Sequence, residues 1–397
     1  MKRFLTVALV TALTLLTAGQ AFATRTRINS LSGQEKEFTV KDQANIYLFP
    51  QTLVEYGNQV DVDSTQGAKY GTMNVRYSLT DDAVLLLFGQ RSPWVPVVHK
   101  ATLGGVDQNQ QPVAGVNAAS ISGFAQKAID PTNHQFGVGF GTRVGEAARL
   151  GGTFSIGGNN RTRDGNWTHD NTWIDFDVGF GLDLGETDSI DLGLSIGIGS
   201  FTNIESSERY VSAGLFNIGL LAKGVFSVHQ IASIVPYLGF IYDGRAIEHQ
   251  PTNACGGQPQ DCASLKGNTA NTDVRLGADL AIKPAEGVLV QPGLGLRIQS
   301  AVGEGNSTPT ANAPILTQEE SVFITPYYGF AAEAAAFDWL LLRVGARQSI
   351  VMSNNTNTIP PPAGGVPPGQ APPSNERHWS DVVNTVTAGV GIQLRGW

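Results

Sequence analysis

The stretch that most constrains the fold of this chain is the alternating pattern of residues 171–200. From residue 174 to residue 184 every even position is apolar, and aspartate or glycine fills the positions between them. After a short turn at residues 185–188, the same alternation resumes and continues to residue 199. A period of two predicts two β-strands joined as a hairpin, each with one apolar face and one polar or empty face.

The length of these strands favours a membrane barrel over a soluble sandwich. Strands of soluble sheets usually contain about five or six residues, whereas a tilted transmembrane strand needs about 9 to 11. If the apolar face contacts lipid, the aspartates and glycines face an interior. Because only a closed barrel leaves no unpaired backbone edge in hydrocarbon, we predict an all-β fold, an antiparallel transmembrane β-barrel.

The same alternation recurs through residues 54–397 and predicts about 14 strands. The connections between them alternate in length, as they do in outer-membrane barrels with short periplasmic turns and long external loops. The short ones are residues 79–82, 143–148, 185–188, 229–232, 283–287 and 335–338, and the long ones are residues 91–134, 157–170, 201–208, 246–270, 302–320 and 352–381.

Three prolines interrupt this pattern. Pro236, Pro292 and Pro326 lie inside predicted strands, where each removes a hydrogen-bond donor from the ladder. We therefore expect bulges or shifted strand boundaries at these positions.

The first 23 residues have the features of an export signal. Lys2 and Arg3 precede an apolar run, and small residues flank Phe22 before residue 24. This pattern predicts a secretory signal peptide, residues 1–23, and a location in the bacterial outer membrane. No apolar run is long enough for a transmembrane helix. The net charge of −8 and the absence of a Lys/Arg cluster argue against a nucleic acid partner.

The chain contains two cysteines, Cys255 and Cys262, in a polar loop segment. In an exported protein such a nearby pair favours a disulfide that closes the loop. A metal site is the alternative, but only His249 lies close by, so a tetrahedral site would lack a ligand. We predict a disulfide and no bound metal or cofactor.

The strand pattern also predicts which charged residues face the interior. Acidic and basic side chains are both present there, which suggests either a self-neutralising lattice in a wet lumen or a substrate-specific ladder. Inward apolar residues are exceptions, and Leu221 and Tyr327 are examples that would either pack against a plug or line an apolar pocket. The predicted lumen-facing charged residues are Arg76, Arg149, Asp175, Asp177, Asp183, Asp191, Lys223, Arg245, Asp273, Arg275, Asp279, Arg297, Glu333, Arg343 and Arg347.

Residues 24–53, before the first strand, form the candidate plug. This segment is too polar to span a membrane, and its apolar residues need a surface to pack against. Asp42, Tyr47, Pro50 and Leu53 have the spacing of a known N-terminal hatch motif. In these residues the chain resembles the FadL family of outer-membrane transporters, although Phe49 and Gln51 replace the asparagine and alanine of the family pattern. The resemblance implies a 14-stranded barrel, a hatch in its lumen and transport of long-chain fatty acids or other hydrophobic compounds.

The C-terminal residues 387–394 resemble the assembly signal of outer-membrane barrels, with Val390, Ile392 and Leu394 on one face. This resemblance implies recognition by the barrel assembly machinery. Trp397 departs from the pattern, because it lies on the other face.

Three functions are compatible with these features. The first is transport of small hydrophobic molecules, such as fatty acids or aromatic compounds, past a hatch that shifts. The second is a polar, porin-like diffusion channel, which the inward charges favour. The third is a non-conducting barrel that displays loops or scaffolds envelope proteins. His169 beside Asp170 is the one candidate for catalysis at the outer rim, and a neighbouring pair of this kind is weak support for an enzyme.

Overall fold

The computed structural model describes most of the strands and part of the N-terminal segment. The predicted signal peptide, Asp42 and the two cysteines lie outside the described residues, so the signal and the disulfide stay predictions. The described residues are 31, 39, 43–63, 72–89, 134–163, 167–205, 208–251, 264–308, 315–337, 340–358 and 374–392.

The described residues form a single 14-stranded antiparallel sheet in which each strand pairs with the next along the chain. This order confirms the predicted all-β fold and its strand count. The strands are β1 (Gln59–Asp63), β2 (Thr72–Thr80), β3 (Ala83–Gly89), β4 (His134–Val144), β5 (Ala148–Arg163), β6 (Trp167–Asp183), β7 (Ser189–Glu205), β8 (Glu208–His229), β9 (Ala232–Pro251), β10 (Ser264–Ile282), β11 (Val288–Thr308), β12 (Ile315–Phe337), β13 (Leu340–Thr358) and β14 (Ser374–Ile392).

The two faces of the sheet differ in polarity, as the alternation predicts. In β6, Ile174, Phe176 and Phe180 are exposed on one face, while Asp175 and Asp177 are buried on the other. The same parity continues across the sheet, since directly paired residues share a face. An apolar outer surface around a polar interior is the arrangement of a transmembrane barrel. Within the described residues, no helix is both long and apolar enough to cross a membrane.

Five of the six predicted long connections are shorter than expected, all except residues 91–134. Residues 157–170 were predicted as a loop, but β5 continues to Arg163 and β6 begins at Trp167. Residues 201–208 are likewise taken up by β7 and β8. The polar side chains of these stretches removed the alternating signal, yet backbone pairing such as Asn160 with Asp170 does not require apolar side chains.

The three internal prolines do not shift the strand register, contrary to the prediction. Each one interrupts the ladder with one neighbouring strand for two residues, after which the same register resumes. On the other side of its strand each proline stays in register: Pro236 pairs with Ala278, Pro292 with Phe330 and Pro326 with Leu296. A missing donor therefore affects one of the two ladders, because successive backbone groups point to opposite sides of a strand.

The N-terminal segment lies on the inner face of this sheet. Two short 3₁₀ helices, η1 (Gln43–Tyr47) and η2 (Pro50–Glu55), precede β1. η2 packs along β3 to β6, whereas Phe49, between the helices, forms a buried cluster with residues of β8, β9 and β12. Because one short segment contacts distant strands, the sheet curves around it. We call residues 43–56 the plug.

Candidate functional site

A row of inward-facing glycines forms the surface on which the plug rests. Gly141, Gly151, Gly179 and Gly193 pair directly with one another across β4, β5, β6 and β7. A Cβ at Gly151 would overlap the backbone of the plug at Pro50, and a Cβ at Gly193 would overlap the carbonyl of Leu48. The glycine row, defined by these four residues, is therefore a groove into which the plug backbone fits.

Gln51 joins this groove to the charged interior. Its side chain is fully buried, and its Nε2 donates a hydrogen bond of 2.8 Å to Asp191 Oδ1. A Cβ at Gly179 would overlap the Gln51 amide. Gln51 is one of the two positions at which the segment departs from the hatch pattern, and here it makes a specific contact.

Phe49, the second residue that departs from the hatch pattern, packs against residues of β8, β9 and β12. It is fully buried in a cluster with Leu48, Leu221, Tyr237 and Tyr327. The inward apolar residues Leu221 and Tyr327 thus pack against the plug, as one of the two predicted readings proposes. Lys223 Nζ lies 4.6 Å from the centre of the Phe49 ring, a cation–π distance.

Of the predicted hatch motif, three residues lie in the described segment and all three contact the barrel wall. Tyr47 makes an edge-to-face contact with Phe88, with ring centres 5.3 Å apart. Pro50 begins η2 over Gly151, and Leu53 is fully buried close to Gly141. The motif residues and the two departures from it therefore form one interface.

A cluster of ion pairs joins the end of η2 to the barrel wall. Arg149 on β5 contacts three carboxylates: Glu55 at 2.5 Å, Asp183 at 2.8 Å and Asp191 at 3.4 Å. Asp191 also lies 3.7 Å from Lys223 Nζ. Arg149 is almost completely buried, so each carboxylate near it offsets part of the cost of burying the guanidinium.

Three further interactions hold the first part of the barrel. Arg76 on β2 pairs with Asp61 on β1, and both are buried. The Arg76 guanidinium also lies 5.6 Å from the centre of the Tyr56 ring, at the end of the plug. On β5 and β6, Thr153 donates a hydrogen bond of 2.5 Å to Asp177.

Charged residues on β10 to β13 form interactions between neighbouring strands of the wall. Asp273 is fully buried between Arg275 and Arg297, each at 2.7 Å. Arg343 donates from Nε to Glu333 at 2.6 Å. The Arg347 guanidinium lies 4.3 Å from the centre of the Tyr327 ring.

Asp279 on β10 accepts hydrogen bonds from two sides. Gln291 on β11 donates at 2.9 Å, and Thr39 of the N-terminal segment donates at 2.5 Å. The N-terminal segment therefore reaches the wall on both sides of the lumen.

Two predicted lumen residues, Asp175 and Arg245, belong to other parts of the barrel wall. Asp175 is 2% exposed and lies closer to the long connections than the plug does. Arg245 pairs through its backbone with Leu215 on β8, and its side chain lies outside the described part.

Several interior polar residues were missed by sequence reasoning. Glu55 and Gln51 belong to the plug, where no alternating pattern marks an inward position. Asp61 lies on β1, whose five residues give too short a pattern. Asp243 is 4% exposed on β9, and its inward position was readable from the parity of Ile241.

Comparisons with known proteins identify no family for this chain. No protein-family model and no curated protein matches it. Solved structures similar to it include the ferric-catecholate import receptor Fiu from E. coli K12, with 10% identity, a TM-score of 0.40 and coverage of 85% of this chain and 69% of that chain. The ferric yersiniabactin uptake receptor FyuA from Yersinia pestis has 7% identity and a TM-score of 0.43, and the match covers 81% of this chain but 59% of that one. The translocator domain of the autotransporter NalP from Neisseria meningitidis has 14% identity and a TM-score of 0.32, covering 64% and 90%.

At these identities and TM-scores the similarities carry no argument about function. The barrel assignment rests on this chain's own strand order, apolar outer face and polar inner face. Among the described residues, no group of three or more His, Cys, Asp or Glu side chains is arranged to hold a metal ion. The arrangement is a barrel in which the plug backbone fits against the glycine row and Glu55, at the end of η2, forms an ion pair with Arg149.

Proposed function

We propose that this protein is a plugged outer-membrane transporter that passes small molecules when the plug shifts. The observation that carries this proposal is the seat of the plug, in which the backbone at Pro50 fits against Gly151 while Phe49 is fully buried against Leu221 and Tyr327. A segment packed in this way obstructs the lumen. Transport then requires the plug to leave at least part of its seat.

The contacts of the plug favour displacement over permanent closure. Apart from its two apolar clusters, one around Phe49 and one around Ile46 and Leu53, the plug is held by Gln51 to Asp191 and by Glu55 to Arg149. We expect the plug to have two arrangements, seated and displaced, which is the condition for a gate.

For the cargo, the polar lining favours small polar solutes. The inward apolar residues Leu221 and Tyr327 are occupied by the plug, whereas buried polar residues such as Asp175 and Asn217 line the wall beyond it. Hydrophobic cargo, such as fatty acids or aromatic compounds, is the second candidate. It is favoured by the hatch resemblance and by Ile241, an inward apolar residue that is 1% exposed.

Single-channel recording in planar lipid bilayers tests the gate. We expect the wild-type protein to stay near a closed baseline and a variant lacking the plug, residues 43–56, to carry a steady ion current. Heat-modifiable mobility on a gel establishes that the variant is folded. A steady wild-type current that the deletion leaves unchanged would contradict the proposal.

Uptake assays separate the two kinds of cargo. Cells that lack the protein should lose uptake of small polar solutes if the first candidate is right. Loss confined to fatty acids or aromatic compounds would instead support the second.

A further inference from the structure

The structure carries a second polar cluster, separate from the plug, and we propose that it binds an uncharged polyhydroxylated molecule, a sugar or polyol. This inference rests on the proposed transport function and names the class of cargo. The cluster consists of Trp173 and the polar belt, which we define as Ser155, Asp175, Asn217, Asp243 and Asn271.

The polar belt is a continuous transverse row on the inner face of β5 to β10. Ser155 pairs with Asp175, Asp175 with Gly197, and Gly197 with Asn217. The row then continues from Asn217 to Asp243 and from Asp243 to Asn271. Asp175 is four residues from Gly179 on β6, so the belt lies about 13 Å from the glycine row, on the side of the long connections. A solute entering from that side meets the belt before it meets the plug.

Gly197 makes the side chains of this belt converge. A Cβ at this position would lie 2.5 Å from Asn217 Oδ1, 2.5 Å from Trp173 Cζ2 and 2.8 Å from Asp175 Oδ1. The absence of a side chain at Gly197 therefore lets an indole, a carboxylate and an amide approach one another across three strands.

Polar atoms of this cluster lack hydrogen-bond partners although they are buried. Trp173 Nε1, Asn217 Nδ2 and Asn271 Oδ1 have none among the described residues, and these three residues are 7%, 3% and 5% exposed. A buried polar group that stays unpaired destabilises the structure. Two donors and one acceptor in this cluster therefore favour a molecule that both accepts and donates hydrogen bonds.

Hydroxyl groups match this set of atoms better than other chemistries do. A hydroxyl accepts from the indole N–H or the amide N–H, and it also donates to the carboxylates of Asp175 and Asp243 or to an amide oxygen. An apolar ligand would leave the buried groups unpaired. An anion would be repelled by the carboxylates, and an ammonium group offers no acceptor to the two N–H donors.

Isothermal titration calorimetry on the full chain tests this site. The protein is purified in a detergent without a sugar head group, and maltose, decanoate and spermidine are the probes for a neutral polyol, an apolar chain and a cation. We expect maltose to bind and the other two not to bind. Trp173→Phe keeps an aromatic ring but removes the N–H, and should weaken maltose binding about three- to ten-fold.

Two further variants separate binding from folding. Asn217→Leu removes the amide at similar size and should also weaken maltose binding. Asn384→Leu is the matched control, because Asn384 lies on β14 and accepts a hydrogen bond from Gln348 at an exposed position. Heat-modifiable mobility checks that every variant is folded.

The proposal is overturned if maltose does not bind, or if Trp173→Phe and Asn217→Leu bind it as tightly as the control does. These results are independent of the bilayer recordings. A gate that opens on deletion of the plug, combined with no maltose binding, removes the polyol site and leaves the proposed transport function standing.

Discussion

The barrel wall at β4 to β7 and the last strand, β14, expose similar inward residues to different degrees. On the first wall Thr153 and Asp177 are each 2% exposed. On β14, Thr385 and Asp381 are exposed, although they share a face with the inward residues Arg347 and Val351. η2 packs along β3 to β6, whereas β14 pairs with β13 alone among the described strands. The residues that hold the plug should therefore be distinguishable from those that hold the wall together.

The largest effect on channel opening is expected at the glycine row. Gly151→Ala places a Cβ against the plug backbone, and overpacking of this kind costs about 1–3 kcal/mol. If the plug has two arrangements, this shift raises the open fraction about 5- to 150-fold. Bilayer recordings should then show far more frequent opening than in the wild type.

Gly152→Ala is the matched control for that experiment. Gly152 is next to Gly151 but on the other face of β5, and its added Cβ would meet only the Asp177 carbonyl oxygen, at 3.3 Å. Equal opening of both variants would show that the groove does not seat the plug.

The next effect concerns buried charge. Arg149→Met leaves Glu55, Asp183 and Asp191 without their shared guanidinium and should lower the free energy of unfolding by about 3–5 kcal/mol. Arg143→Met removes a half-exposed partner of Asp183 at 3.7 Å and should cost about 0–1 kcal/mol. Urea unfolding in lipid vesicles measures both, and similar losses for the two variants would refute the assigned role of Arg149.

A smaller effect separates plug contacts from wall contacts. Glu55→Gln weakens the link between η2 and Arg149 by about 1–3 kcal/mol and should increase channel opening. Glu333→Gln weakens a pair of similar geometry between β12 and β13, and should reduce stability without changing the current. If Glu333→Gln increases channel opening, or if Glu55→Gln does not, the distinction between plug contacts and wall contacts is refuted.

The smallest effect is a pH dependence outside the lumen, at the β6–β7 turn. A hydrogen bond from the backbone N–H of Ser227 holds the pKa of the exposed Asp188 carboxyl below its usual value of 3.8. Because the pKa is lower in the folded protein, the carboxylate stabilises the folded turn at pH values above the pKa of the unfolded state. This stabilisation is lost as the pH falls through the pKa of the folded state. The protection of the Ser227 amide from hydrogen exchange, relative to the intrinsic rate at each pH, should therefore fall below about pH 3.8 in the wild type. Asp188→Asn should lose this dependence, and an unchanged profile would exclude the carboxylate as its cause.

Much of the barrel was predictable from the sequence because a period of two is a local signal. The alternation of Ile174, Asp175 and Phe176 shows the strand and its inward face in three residues. The ends of the strands were less predictable, since polar residues such as Asn160 still join the ladder. The effect of the prolines was predicted wrongly for a related reason, because one interrupted ladder did not require a shift of register at Pro292.

The candidate site was predictable only in its parts. The spacing of Tyr47, Pro50 and Leu53 indicated a segment that needs a surface to pack against, but not where it would pack. The residues that make its specific contacts, Phe49 and Gln51, are the departures from the pattern and carried no signal of their own.

By itself, the sequence determined the antiparallel strands, their number and the parity that turns Asp177 and Arg149 inward, because those properties follow from the local alternation of side chains. The tertiary structure alone decided which distant residues meet. The register across β4 to β7 aligns Gly141, Gly151, Gly179 and Gly193 into one groove, and the curvature of the sheet brings the plug to it. Such a groove depends on residues far apart in the chain, so no local pattern reveals it.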